Sequence, residues 1–213
     1  MNPLKVIIYD CDGVLFESHQ ANLAYYNRIF SAFGYPQISD PLSAEAHICH
    51  TASSPVVLAK LMAVPDVAPA LQFAQGIDYR DFIHLMSESA GLKASLTRLA
   101  DNFTLAVATN RGNSMHEILE YFALGHFFKR VVTSRDVKSP KPAPDMLLLA
   151  ARNLGVLPHS CLFVGDSELD QQAAAAGDIP FIAYGDRLVT GTRVGTHTEL
   201  ADILLNSTGV LSY

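Results

Sequence analysis

The stretch Val6-Ile7-Ile8-Tyr9-Asp10-Cys11-Asp12-Gly13-Val14-Leu15 decides the fold. Its opening run, Val6 to Tyr9, is apolar, rich in β-branched residues and too short for a helix, so it predicts a buried strand. Side chains alternate along an extended strand end, which sends Asp10 and Asp12 to one side and Cys11 to the other. Two carboxylates at the end of a buried strand repel each other and lose hydration. A fold tolerates that when a cation and a reaction use them. A carboxylate can attack phosphorus as a nucleophile. A second carboxyl nearby, kept partly protonated, can hand a proton to the leaving oxygen. Magnesium, which prefers few carboxylates together with phosphate oxygen and water, would offset the charge of phosphate facing carboxylate. The competing reading of Asp12-Gly13 is a plain surface turn.

Three further stretches weigh against the turn: Ala108-Thr109-Asn110, Lys141-Pro142 and Gly165-Asp166-Ser167-Glu168-Leu169-Asp170. From Gly91 onward the pattern alternates helix and strand. Strands are expected over 103–108, 130–133, 161–164 and 179–183. Helices are expected through Leu92, Leu96 and Leu99, from Ser114 to Phe122, over 145–154, over 168–176 and over 199–205. Alternation of this kind predicts a parallel sheet with helices on both faces. Residues 16–90 read differently: helical stripes, punctuated by Pro36, Pro41, Pro65 and Pro69, with no convincing strand. The expected organisation is an α/β, Rossmann-like core over 1–15 and 91–213, with an all-helical cap over 16–90.

Composition narrows the function classes. A chain of 213 residues, 49% hydrophobic and 17% charged, builds a sizeable core and is not disordered. The formal net charge is −6 with no basic cluster, so neither nucleic acid nor an anionic membrane surface is an expected partner. Cys11, Cys49 and Cys161 cannot all pair and read as reduced, structural thiols. With no leader-like N-terminus and no apolar run of spanning length, a cytoplasmic protein is expected.

Each polar stretch sits at the C-terminal end of an expected strand or in the loop after it, where open parallel sheets bind ligands. Adjacent strands lie about 4.8 Å apart, so Asp10 and Asp166 on neighbouring strands could share one metal ion. Thr109 offers a hydroxyl and an N–H ahead of a helix, or simply caps that helix. Lys141 is presented by a proline-stiffened loop, unless it is merely solvated. Asp166 and Asp170, four apart at a helix start, can face one site or simply complement the helix dipole.

The four motifs in this order resemble the haloacid dehalogenase superfamily of phosphohydrolases, in the branch with a helical cap after the first strand. The resemblance covers the whole chain. It implies Asp10 as nucleophile, Asp12 as general acid/base, and Thr109, Asn110 and Lys141 as phosphate-binding residues. It also implies Mg2+ held by Asp10, Asp166 and the backbone carbonyl of Asp12, with Asp170 supporting. The implied activity is hydrolysis of a small phosphorylated metabolite. A sugar phosphomutase of the β-phosphoglucomutase type shares every core residue, and a non-catalytic phospho-Asp switch is a more distant alternative. A mutase needs a second phosphate site, and cations in the cap are sparse: Arg28, Lys60 and Arg80. His47-Ile48-Cys49-His50 is expected in a partly exposed cap loop, with substrate contact and metal binding as weaker readings, and His19 at the cap entrance. Substrate and oligomeric state are not legible.

Overall fold

The computed structural model describes residues 3–112, 114–188 and 191–206. The last residues of the expected core segment, 207–213, lie outside them. In chain order, β1 (Val6–Tyr9) is followed by β2 (Phe16–Glu17), α1 (His19–Ala32), α2 (Ala44–Thr51), α3 (Ser54–Leu61), α4 (Val64–Gln75), α5 (Arg80–Ile83) and β3 (Ser87–Glu88). Alternation then sets in with α6 (Leu92–Ala100), β4 (Thr104–Thr109), α7 (Ser114–Tyr121), β5 (Phe128–Thr133), α8 (Asp145–Asn153), β6 (Cys161–Gly165) and α9 (Glu168–Ala176). It closes with β7 (Phe181–Tyr184), β8 (Arg193–Val194) and α10 (His197–Asn206).

The main sheet has the order β5-β4-β1-β6-β7-β8 and every pairing in it is parallel. β1 lies at its centre, which explains its unbroken apolar run. Ile7 and Tyr9 enter one core cluster with Leu92, Leu96, Met115, Ile118 and Leu200. Val6 and Ile8 point the other way, into a cluster with Met146, Leu147, Ala150 and Ala173. A parallel strand covered by helices on both faces cannot alternate with polar residues. Each fully buried side chain of this size contributes about 1.5–3 kcal/mol. The order also reverses at β1, with β4 on one side and β6 on the other, and this opens a crevice at the strands' C-terminal ends.

The helices α1 to α4 pack on one another through a third cluster that includes Tyr26, Ile29, Phe30, Val57, Leu58 and Met62. The expectation of no strand in residues 16–90 needs amending. β2 and β3 form a short antiparallel pair, Phe16 opposite Glu88 and Glu17 opposite Ser87, which joins the two links between the inserted helices and the sheet. Between Arg80 and this pair, the helical stripe is confined to α5. Two-residue strands carry too little pattern to be read from sequence. Among the described residues, no helix is long and apolar enough to cross a membrane.

The first turn of α10 braces both links. His197 is fully buried and its Nε2 lies 2.9 Å from the Val14 carbonyl, two residues beyond Asp12. A carbonyl only accepts, so Nε2 carries the proton, and burial keeps the ring neutral by lowering its pKa to about 4. Thr198 Oγ1 packs where Gly91 lacks a side chain: a Cβ there would sit 2.8 Å away, and the glycine's φ of +75° is itself in the left-handed region. His197→Phe keeps the ring but leaves the Val14 carbonyl unpaired, and it should lower stability by about 1–3 kcal/mol. Urea unfolding of the two proteins measures this; an unchanged midpoint would show that the brace contributes nothing.

Candidate active site

Asp10 follows β1, and its backbone N–H donates to the Val164 carbonyl of β6 at 2.9 Å. That bond continues the β1–β6 ladder and brings Asp10 beside Asp166, which follows β6. Asp170 lies one helical turn further on. Ser167 caps α9, and Asp170 returns the bond by accepting from the Ser167 N–H at 3.0 Å, a capping box that fixes both side chains. Two glycines permit the close approach. A Cβ on Gly13, whose φ is +73°, would stand 2.1 Å from Asp166 Oδ2, and a Cβ on Gly165 would stand 2.4 Å from Asp170 Cβ.

Asp10, Asp166 and Asp170 each offer a carboxylate oxygen within 4.8 Å of the others, and all are buried. Lys141 Nζ sits 2.8 Å from Asp10 Oδ1 and 2.6 Å from Asp170 Oδ1. Burial would lower the lysine's pKa, but these two anions outweigh it and raise it, so the ammonium is firmly charged. Burial pushes the Asp10 carboxyl up to about 7, with repulsion from Asp170 and Asp12 adding and Lys141 opposing. Burial, with repulsion from Asp170 and Asp10, also raises Asp166 well above the carboxylate range. Arg187, 3.5 Å from Asp166, is a further and partly exposed cation. One buried ammonium does not balance three buried carboxylates. An all-oxygen donor set of this charge fits a hard divalent ion such as Mg2+.

Asp12 belongs to a different network. Its Oδ1 accepts from the Ser18 hydroxyl, from Asn22 Nδ2 at 2.9 Å and from Arg111 Nη2 at 2.6 Å. Asn22 Oδ1 accepts in turn from Arg111 at 2.7 Å and from the Tyr79 hydroxyl at 2.8 Å, and the guanidinium lies over the Tyr79 ring. Burial alone would raise the Asp12 carboxyl. The Arg111 charge, followed by His50 and the hydrogen bonds from Arg111 and Ser18, outweighs burial and holds it at about 2. Against the partly protonated Asp12 expected from the motif, pairing with the buried Arg111 favours the ionised form, and that arginine was not part of the expectation.

Thr109 is buried at the end of β4, and its hydroxyl accepts from the Arg111 N–H at 3.2 Å. Asn110 Nδ2 donates to the carbonyls of Lys141 at 3.1 Å and Thr51 at 3.0 Å, so its amide joins the Lys141 loop to the end of α2. His50 is corrected more sharply: it lies on α2, not in a loop, and is 4% exposed. It stacks on His19 at 3.5 Å and lies 3.2 Å from Asn22 Nδ2, while burial lowers its pKa to about 3. His19 is also reached by Arg187.

Between the inserted helices and the sheet lies a cavity of about 640 Å³. Tyr25, Leu71 and Ile77 give it an apolar wall, and Asp12, Asn110 and Arg111 give it a polar one. None of Arg28, Lys60 or Arg80 lines it; its cations are Arg111, Arg135 and Lys138, from the loops after β4 and β5. The cavity's cations therefore come from the core loops and not from the inserted helices. Arg111 was legible only as a cation directly following Thr109-Asn110, and nothing in the sequence singled out Asn22.

The family model described as haloacid dehalogenase-like hydrolase matches residues 7–184. The chain belongs to this family. A hydrolase of the superfamily's subfamily IA from Geobacter sulfurreducens is 38% identical, with a TM-score of 0.81 over 94% of this chain and 99% of that one. The phosphoglycolate phosphatases of Escherichia coli and Salmonella typhimurium are 38% identical over 89 residues, 40% of this chain. That match spans about a third (35%) of those relatives' length. A haloacid dehalogenase-like protein from Streptococcus pneumoniae, 18% identical, shares the fold with a TM-score of 0.80 over 94% of this chain and 98% of its own.

The Asp12–Arg111 pair makes a pH-dependent prediction. A carboxyl depressed to about 2 stabilises the fold above its unfolded pKa of about 4, and the contribution is lost as pH falls through 2. Arg111→Met leaves a buried charge unpaired and should cost about 3–5 kcal/mol at neutral pH. The stability gap between the two proteins should narrow on acidification, as Asp12 protonates. Denaturant unfolding across that range measures the gap; one that stays constant with pH would contradict the pairing.

Proposed function

We propose that this hydrolase is a magnesium-dependent phosphatase that cleaves a small phosphate monoester through an aspartyl-phosphate on Asp10. The observation that carries this reading is the buried Asp10–Asp166–Asp170 cluster bound to Lys141 at the C-terminal end of the central strand. No simpler structural role needs three buried acids there. The part-length likeness to phosphoglycolate phosphatases supports the same chemistry.

Mg2+ would be held by Asp10, Asp166 and the Asp12 carbonyl, with Asp170 anchoring Lys141. Bound there, it supplies charge that offsets nucleophile against phosphate and polarises a phosphoryl oxygen. Lys141 and Thr109 hold the phosphate oxygens in line with Asp10. The Asp10 carboxylate attacks phosphorus, the ester P–O bond breaks, and the leaving oxygen takes a proton from Asp12. Water then attacks the acyl phosphate, Asp12 removes its proton, and phosphate leaves. Asp12 must be protonated in the first step and ionised in the second. Pairing with Arg111 favours the second state, whereas negative phosphate beside Asp12 pushes its carboxyl up, the sign that the first requires. Residues 16–90 act as a cap that excludes bulk water while Asp10 is phosphorylated and reopens for hydrolysis. Three free, buried cysteines suit a reducing compartment.

A phosphomutase is the second reading, and one observation favours it: the cavity is lined by Arg111, Arg135 and Lys138, cations other than Lys141 and on the core side. Sugar isomerisation outrunning phosphate release, with a hexose 1-phosphate and a bisphosphate primer, would select it.

Asp10→Asn removes the nucleophile but little volume, and it should lower phosphatase turnover by roughly a thousandfold or more with the fold intact. Calorimetry should detect Mg2+ binding to the wild type and much weaker binding to Asp166→Asn. Turnover retained in Asp10→Asn, or equal Mg2+ binding in both proteins, would contradict the assignment.

A further inference from the structure

Asn110 follows Thr109 at the end of β4 and is buried. Its side-chain amide has two N–H bonds, and both are in use. Nδ2 donates to the Lys141 carbonyl at 3.1 Å and to the Thr51 carbonyl at 3.0 Å. Two carbonyl acceptors fix the orientation of the amide, because turning it over would set oxygen against oxygen twice. Oδ1 is buried and has no hydrogen-bond partner among the described residues. An acceptor cannot hold a phosphate oxygen, so this side chain has no donor left for that anion. A buried unpaired acceptor is unfavourable, and the two donor bonds are what offset it.

The two carbonyls belong to different parts of the molecule. Lys141 lies in the loop after β5, and its ammonium is fixed independently, by Asp10 at 2.8 Å and Asp170 at 2.6 Å. Thr51 is the last residue of α2, where carbonyls run out of helical N–H partners. A donor from the sheet therefore satisfies the end of an inserted helix. The same helix carries His50, which lies 3.2 Å from Asn22 Nδ2, and that amide donates to Asp12 at 2.9 Å. The seating of α2 thus touches both the Lys141 loop and the partners of Asp12. A further tie from α2, His47 to Glu168 at 3.5 Å, joins side chains that are 43% and 57% exposed. An exposed pair of that kind holds little, so the buried amide is the stronger of the two.

We propose that Asn110 is a positioning residue: through one amide it seats α2 on the loop that carries Lys141, and so holds the inserted helices over the phosphate-binding residues. The kinetic consequence rests on the phosphatase reading above; the contact does not. Under that reading the seated helices exclude bulk water from Asp10, so loosening them slows turnover without removing a phosphate contact.

Asn110→Ala removes both donors and leaves Thr109 and Lys141 in place. Hydrogen exchange read by mass spectrometry should be roughly tenfold faster or more over residues 44–53, as expected for the loss of two hydrogen bonds, and unchanged over β1. With p-nitrophenyl phosphate, kcat/KM should fall roughly tenfold, whereas the inhibition constant of inorganic phosphate, held by core residues alone, should stay within about twofold of the wild type's. Thermal unfolding shows whether the variant is folded. If it is not, Asn110→Ser, which keeps one donor, should give the same pattern at smaller size. A phosphate inhibition constant that rises in step with the loss of kcat/KM makes the side chain a phosphate ligand and overturns the proposal. Unchanged exchange over 44–53 overturns it as well. A wild type that hydrolyses no ester overturns the phosphatase reading, and the exchange comparison then decides by itself whether Asn110 seats α2.

Discussion

The mutual repulsion of Asp10, Asp166 and Asp170 is the constraint on which the rest of the site depends. Three carboxylates whose oxygens lie within 4.8 Å cannot stay buried and charged against one lysine unless further positive charge joins them. The sheet order sets β1 beside β6, and the Asp10–Val164 bond extends that pairing into the loop. Gly13 and Gly165 remove the side-chain atoms that would keep the acids apart. The capping box at the start of α9 orients Asp170. None of these devices stabilises the fold by itself as well as an apolar residue would, so together they mark a place where stability is given up for chemistry.

Asp10 and Asp12 are two residues apart, yet they sit in opposite electrostatic settings. Burial and neighbouring acids raise the first, whereas Arg111 and its hydrogen bonds lower the second. Asp12 is also where the inserted helices meet the core. Asn22 from α1 bonds to it directly, Tyr79 from the segment before α5 reaches Asn22, and His50 from α2 lies against the same amide. Any movement of those helices relative to the sheet must rearrange the partners of Asp12. Under the proposed opening and closing of those helices, the protonation of Asp12 and their position would be coupled through these shared contacts. The brace from α10 onto Val14 and Gly91 holds the links about which such movement would turn.

Much of this was legible in the sequence because it is local. The apolar run of β1, the strand–loop–helix rhythm after Gly91 and the span of α9 follow from periodicity and caps, and the acids and Lys141 follow from their places after strand ends, in the loops and the first turn of the next helix. What escaped is tertiary. Arg111 reads as one more polar loop residue until the fold turns it onto Asp12, 99 positions away. Asn22 lies within a helix with nothing to single it out, and His50 became a buried partner only when α2 was laid over the crevice. The β2–β3 pair is too short to leave a pattern. The cavity's cations Arg135 and Lys138 are tertiary in the same sense, brought to it by the loop after β5 and not by the inserted helices.

The central claim, that Asp10 becomes covalently phosphorylated, is tested most directly by trapping the intermediate. Acid quench during turnover, borohydride reduction of the acyl phosphate and peptide mass spectrometry should convert residue 10 alone to homoserine. Turnover with no modification at residue 10, or with the label on another side chain, would contradict the account.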